Sequence, residues 1–357
     1  MKHKVIDLFA GVGGLSLGFE MAGFEVVAAN EYDEEIAAAY TLNNPDTNMI
    51  VGDIAQLDIE TAFLPYKGDV SVVVGGPPCQ GFSQKGQRKS INDERNFLFK
   101  QYYRVVEFLR PKYFVIENVP NLLTTEKGYF KREIEELFSG IGYNLSSGVL
   151  NAADYGVPQN RRRTCIIGVL GDEPIGLPAP TERRTTIWEA ISDLSYLHSG
   201  EGDEVQPYLH GPDSEYQESL RTGTTALYNH VATAHSRTTL ERLSLIPENG
   251  GKDSLPEEHH TKSIYSGTWC RMKRDGVART ITTRYDTPSS GEFTHPLLDR
   301  AITTREAARI QSFPDSFRFY GSKSSQMKQV GNAVPPLLGR AIAEHIMEDI
   351  VRREGEG

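Results

Sequence analysis

A cysteine on a stiff turn, three acids at strand ends and a run of three arginines are the groups in this sequence with chemistry to offer. Cys79 lies in Gly75-Gly76-Pro77-Pro78-Cys79-Gln80-Gly81-Phe82-Ser83, directly after the apolar run Val70 to Val74. Two glycines turn the backbone and two prolines stiffen it, so the thiol is carried beyond a strand end. That presentation suits a nucleophile, and equally a buried structural thiol, the common fate of a free cysteine. Glu117 closes the apolar run Tyr113 to Ile116, where an acid often caps a helix or pairs with arginine. Arg161-Arg162-Arg163 lead into the strand pattern Thr164 to Val169. Strand alternation puts Arg161 and Arg163 on one face and Arg162 on the other. Glu31 and Asp53 end two successive short strands, and each could hold part of a nucleoside or cap the helix that follows.

The elements that must position these groups read as a repeating strand and helix pattern. Val5 to Phe9 is a strand, Gly11-Val12-Gly13-Gly14 a turn, and Leu15, Phe19 and Ala22 have helical spacing behind it. Such a unit places backbone N–H groups at the carboxyl end of a parallel strand, where doubly wound folds bind nucleotides. A dinucleotide dehydrogenase would want G-x-G-x-x-G, but Ser16 stands at the third glycine position. Strands are expected at Glu25 to Ala29, Asn48 to Val51 and Tyr113 to Ile116, and a helix with a stripe of Leu98, Tyr102, Val105 and Leu109. Near the end, Leu338, Ile342, Ile346 and Ile350 recur every fourth residue, giving a helix with one apolar face.

These stretches, in this order, resemble the DNA (cytosine-5) methyltransferase family. The Gly75 to Ser83 loop is similar to its catalytic loop, Glu117-Asn118-Val119 to its glutamate motif, and Gln159, Arg161 and Arg163 to its Gln-x-Arg-x-Arg motif. The resemblance implies that Cys79 adds to carbon 6 of cytosine, making carbon 5 able to attack a sulfonium methyl group. Glu117 would share a proton with N3, Arg163 would hold O2, and Arg161 would position Glu117 or the loop. S-adenosyl-L-methionine would be the cofactor and S-adenosyl-L-homocysteine its product. Phe9 would pack on the adenine, with Gly11 and Gly13 in the loop beneath it. Glu31 would hold the ribose hydroxyls and Asp53 the adenine edge. Pro78 and Leu98 would add contacts, Leu98 being also explicable as core, and Asn332 and Val334 would sit near the methionine end. Because the target atoms are buried in a duplex, the base must be flipped. Gln80, Ser83, Gln84, Lys85, Gln87 and Arg88 would fill the hole and grip phosphates.

The expected fold is α/β, a doubly wound and mostly parallel Rossmann-like sheet over residues 1–177 plus 325–357. A second, smaller target-recognition domain is expected over 178–324, where prolines and a polar, turn-rich texture begin. A net charge of −10 argues against a chain that coats nucleic acid nonspecifically. The local clusters Lys85, Arg88 and Lys89, Arg161 to Arg163, and Arg271, Lys273, Arg274, Arg279 and Arg284 nevertheless suit a positive cleft for double-stranded DNA. Three widely spaced cysteines support neither a disulfide framework nor a zinc site, so no metal is expected. No apolar run suggests a membrane segment or signal peptide, so a cytoplasmic, nucleoid-associated monomer is expected, with a cognate restriction endonuclease acting separately. A cytosine deaminase lacks its H-x-E and P-C-x-x-C here. A tRNA cytosine-5 methyltransferase, whose loop usually has Phe-Thr where this chain has Phe82-Ser83, and a non-catalytic DNA-binding relative are the alternatives.

Overall fold

A computed structural model describes residues 2–78, 98–261 and 267–356. Cys79, Gln80, Ser83, Gln84, Lys85, Gln87 and Arg88 lie outside the described residues. The chain forms two compact units, Met1–Asn151 with Arg162–Pro180 and Pro336–Gly357, and Ala152–Arg161 with Thr181–Pro335.

The first unit is built on a seven-stranded sheet. In chain order its elements are β1 (Lys4–Leu8), α1 (Gly14–Met21), β2 (Glu25–Glu31), α2 (Glu34–Asn43), β3 (Asn48–Val51), α3 (Ile59–Phe63), β4 (Val70–Gly75), α4 (Leu98–Leu109), β5 (Tyr113–Asn118), α5 (Tyr129–Gly140) and β6 (Tyr143–Asn151). After β7 (Gln159–Asn160), which belongs to the second unit, come β8 (Arg162–Leu170) and, much later, α11 (Pro336–Glu356). The spatial order is β3-β2-β1-β4-β5-β8-β6, parallel except that β8 runs against both neighbours. The order reverses between β1 and β4, and the loops leaving their carboxyl ends flank the crevice where such sheets bind ligands. Near-continuous apolar runs such as Val72 to Val74 and Tyr113 to Ile116 are fully buried, as strands covered on both faces must be. Tyr102 of α4 reaches between β4 and β5, its hydroxyl lying 2.8 Å from Val73 O and 3.0 Å from Val115 O.

The spacing in the last helix holds: Leu338, Ile342, Ile346 and Ile350 are buried. α11 packs on α1 through two glycines. A Cβ on Gly18 would stand 2.5 Å from the backbone of Gly339 and Arg340, closer than atoms can approach. Gly18→Ala is therefore expected to force the helices apart, destabilising the protein by about 2–3 kcal/mol, visible as a lower Tm in a thermal melt.

The second unit holds β7, α6 (Ile187–Ile191), β9 (Val205–Pro207), α7 (Glu215–Arg221), β10 (Ala226–Tyr228), α8 (Arg237–Ser244), β11 (Ala278–Arg279), α9 (Thr304–Ile310) and α10 (Lys323–Asn332). It is only slightly shorter than the first unit. Short elements leave many loop carbonyls to satisfy, and buried arginines do much of this. Arg309 forks onto Asp315 at 2.9 and 2.7 Å, Arg300 grips Glu306 with two bonds of 2.7 Å, and Arg305 donates to the carbonyls of Tyr228, Pro314 and Phe317. The unit also takes in residues that the proline linker assigned elsewhere. Ala152–Arg161 belongs to it because β7 pairs in parallel with β11. The stretch after 324 belongs to it up to Pro335, because Gly331 lies so close to Thr282 that a Cβ would stand 2.5 Å from its carbonyl oxygen.

Candidate active site

The β1 exit makes the first half of the site. Phe9 (φ 56), Gly11 (φ 58) and Gly13 (φ 95) adopt left-handed backbone, which turns the chain sharply between β1 and α1. Glu31, at the end of β2, holds that turn. One carboxylate oxygen accepts from Gly11 N at 2.8 Å and the other from Asp33 N at 2.9 Å. Glu31 does not cap α2; Asp33 does, accepting from the amides of Glu35 and Ile36. Burial raises the Glu31 carboxyl, while the amides of Asp33, Gly11 and Tyr32 oppose the rise. Asp53, one residue beyond Gly52 after β3, accepts from Ala55 N at 2.9 Å. A Cβ added at Gly11 or at Gly52 would meet no protein atom within 4 Å, so both loops border open space. Phe9 is half-buried against the core. Tyr32, 74% exposed beside Glu31, offers an uncovered ring that the sequence reading passed over. An aromatic directly after a strand-end acid was the available signal. Glu31, Asp53, Phe9 and Tyr32 thus all lie at or just beyond the carboxyl ends of β1, β2 and β3, beside glycine loops that border open space.

Ser16 explains why this glycine loop departs from the dinucleotide pattern. Its hydroxyl lies 2.6 Å from Asp7 Oδ2 and 2.8 Å from the Tyr40 hydroxyl, in a fully buried network. Asp7 thus places a carboxylate at the first turn of α1, where dinucleotide folds receive a pyrophosphate. A phosphate brought there would meet negative charge. Burial pushes the Asp7 carboxyl up to about 7, against the lowering influence of the Ser16 hydroxyl and amide. The folded protein therefore binds a proton at Asp7 more tightly than the unfolded chain does, and this contribution to stability declines as pH rises from about 4 to about 7. Asp7→Asn is expected to lose that slope: over this window, the Tm of the variant should rise relative to the parent. Parallel melts at pH 4.5, 6 and 8 check it, a constant difference counting against it.

The β4 exit and the β5 end make the second half. Gly75 pairs with Ile116 in parallel register, so Gly76 and Pro77 leave beside Glu117 and Asn118. Arg163 Nε lies 2.8 Å from Glu117 Oε1, with both side chains mostly buried. The other Glu117 oxygen faces Gly76, where an added Cβ would stand only 3.2 Å away. Asn118 Nδ2 donates to Pro77 O at 2.6 Å. Pro78, half-buried, is the last described residue before Cys79.

The three consecutive arginines separate completely. Arg162 and Arg163 begin β8, whereas Arg161 lies outside the strand and in the second unit, so the shared face expected for Arg161 and Arg163 does not exist. Arg161 is buried and donates to Ile281 O at 3.2 Å and Gly331 O at 2.9 Å. It braces the turn that carries Asn332, exposed at the end of α10, and Val334, buried. The guanidinium set on Glu117 is that of Arg163. Leu98 starts α4 half-buried, and Phe99 takes the core side with Tyr102, Val105 and Leu109. The positive cleft also thins out. Arg271 is buried on the carbonyls of Leu243, Ile246, His295 and Leu298 and on Asp299, while Arg274 pairs with Glu248 and Arg279 with Glu292. Lys273 and Arg284 remain exposed. Among the described residues, no group of three potential metal ligands converges, and no helix is long and apolar enough to cross a membrane.

Known proteins resemble this chain over nearly its whole length. A family profile described as C-5 cytosine-specific DNA methylase matches residues 3–348. The type II methyltransferase M.DdeI of Desulfomicrobium norvegicum is 40% identical, over 96% of this chain and 88% of its own length. The type II methyltransferase M1.HphI of Haemophilus parahaemolyticus is 37% identical, over 98% and 87%. Among solved structures, a prophage-encoded DNA modification methyltransferase of E. coli superposes with a TM-score of 0.80 at 28% identity, covering 98% of this chain and all of that one. A Spodoptera frugiperda DNMT2 structure, 16% identical with a TM-score of 0.64, shares the fold.

Proposed function

This chain belongs to the C-5 cytosine-specific DNA methylase family, whose members depend on S-adenosylmethionine, and from that premise we propose which of its residues do the chemistry. Cys79 is the nucleophile. Its thiolate adds to carbon 6 of a cytosine rotated out of the duplex, which turns carbon 5 into an enamine carbon. When bound, the cofactor supplies an electrophilic methyl group and leaves as S-adenosylhomocysteine. Glu117 shares a proton with N3 as sulfur adds, neutralising charge that builds on the ring. Arg163 holds Glu117 through Nε and has further N–H groups in the same fork to offer cytosine O2. Loss of the carbon 5 proton and departure of Cys79 restore the ring.

Glu31 takes the ribose hydroxyls through the lone pairs that Gly11 and Asp33 leave open, Asp53 takes the adenine amino group, and Phe9 and Tyr32 border the base. Gly13, Pro78 and Leu98 complete that set of contacts. The second unit reads a short sequence in the major groove, with Lys273 and Arg284 available to phosphates. Gln80, Ser83, Gln84, Lys85, Gln87 and Arg88 occupy the space the flipped base vacates. The protein would act as a cytoplasmic monomer that protects DNA from a separate endonuclease, a reading that the type II methyltransferase names of its relatives support.

The observation that carries this reading is the Glu117 carboxylate, 2.8 Å from Arg163 and against the backbone two residues before Pro78 and three before Cys79. Bisulfite sequencing of plasmid DNA from cells expressing the protein tests it. Methylcytosine confined to one short sequence context is expected; unmodified DNA beside modified tRNA would favour the RNA enzyme instead.

A further inference from the structure

We propose that Arg279, with Asn160 beside it, reads a guanine of the recognition sequence by bonding the base at O6 and N7. The β7 and β11 ladder of the second unit is then a base-reading element. This rests on the reading of that unit as the DNA reader, and not on the Cys79 chemistry. β7 and β11 pair in parallel, with Gln159 opposite Ala278 and Asn160 opposite Arg279. Paired residues share a face and successive ones alternate. Gln159 and Ala278 take the inner face, and both are buried. The Gln159 amide is committed there, Oε1 accepting from Ile281 N at 2.9 Å and Nε2 donating to Gln311 Oε1 at 2.9 Å. That anchor turns Asn160 and Arg279 outward together, and both are exposed. Thr280 Oγ1 donates to Asn160 O at 2.8 Å and Ala278 N to Pro158 O at 2.9 Å, which fixes the ladder beyond its own two pairs.

The Arg279 side chain has a set direction. Its Nε lies 3.0 Å from Glu292 Oε2, and the Glu292 side chain is 17% exposed where that of Arg279 is 59% exposed. Gly267, with φ 77, lets the guanidinium lie against the backbone: a Cβ there would stand 3.3 Å from Nη1 and 3.4 Å from Glu292 Cβ. A carboxylate on the Nε side of a guanidinium aims its planar fork. An arginine already paired with a mostly buried acid has little net charge to give a phosphate. Its fork keeps the geometry that matches guanine O6 and N7. Arginine and asparagine, side by side here, are the side chains best matched to purine edges in the major groove. Asn160 also stands only three residues from Arg163 along the chain, at most about 10 Å of backbone. A duplex that delivers a cytosine to Arg163 therefore passes within reach of the pair.

The experiment mixes the full chain, at saturating S-adenosylhomocysteine, with a randomised duplex library at low and at high salt, and sequences the bound fraction. Arg279→Ala, Arg279→Lys and Glu292→Gln are compared with the parent, and Tm is measured beside each. The parent is expected to enrich one short motif that contains guanine. In Arg279→Ala, preference for one guanine over the other bases should fall about 10- to 100-fold, the range for losing one bidentate pair, with the rest of the motif kept. Arg279→Lys should fall as far, because an ammonium keeps the charge and lacks the fork. Glu292→Gln retains Arg279 and should show a smaller loss at the same guanine, a single-position effect that a merely structural role does not produce. Uniform weakening of all sequences with a shallower salt dependence marks a phosphate contact and overturns the proposal. An unchanged motif in folded variants overturns it as well. If Arg279→Ala does not fold, Arg279→Lys decides by the same readout. Failure of the premise looks different: the parent itself enriches no sequence.

Discussion

Cys79→Ala is expected to reduce methylation of duplex DNA by at least about 10⁴-fold, with cofactor affinity and Tm close to the parent's. Carbon 5 of cytosine belongs to an aromatic ring and attacks a methyl donor poorly; covalent addition at carbon 6 is what changes that. Without the thiolate, positioning and cofactor binding still operate, but the difficult step is no longer divided. The other cysteines offer no substitute. Cys165 is buried opposite Glu117 on β8, where burial first and the Glu117 charge second push its thiol up, and Cys270 lies in the second unit. Transfer of tritiated methyl to plasmid DNA, with the bisulfite pattern beside it, measures the effect. Activity within tenfold of the parent would remove Cys79 from the chemistry.

Glu117→Gln should follow at about 10³-fold, within the range for loss of a proton-sharing group. Glutamine keeps the shape and can still meet Arg163, so folding and cofactor binding should change little. What it lacks is an exchangeable proton for N3 and a negative charge for Arg163, whose Nε is 2.8 Å from Glu117 Oε1. A single-turnover reaction on duplex containing 5-fluorocytosine, whose fluorine cannot leave carbon 5 as a proton does and so traps the sulfur adduct, separates this from a binding defect: adduct formation should slow at saturating DNA. A variant that retains more than a tenth of the parent rate would show that ring charge is neutralised by another group.

The parts of the site carried by single strand ends were legible in the sequence. Glu31, Asp53 and Glu117 follow apolar runs that are strands, and the parallel order puts their ends on one side of the sheet. The arginines were not legible, because an arginine's destination depends on which carbonyls or acids the fold brings to it. Three neighbours in sequence went to a buried brace, to solvent and to Glu117. Arg271 read as part of a cationic cluster and is instead a strut among carbonyls from residues 243 to 298. Domain limits were half legible: prolines mark the outgoing crossing near Pro180, but the membership of Ala152–Arg161 is set by pairing with residues more than a hundred positions away.

The glycine crossing of α1 and α11 also sets a clock on synthesis. The ribosome releases β1 and α1 first, yet the helix that covers α1 begins only at Pro336, after the whole second unit has been made. At about 5–20 residues per second, that leaves α1 without its partner for tens of seconds. During that interval the buried side chains of the glycine-loop unit face solvent or a chaperone, and the first unit matures only when translation of α11 is complete.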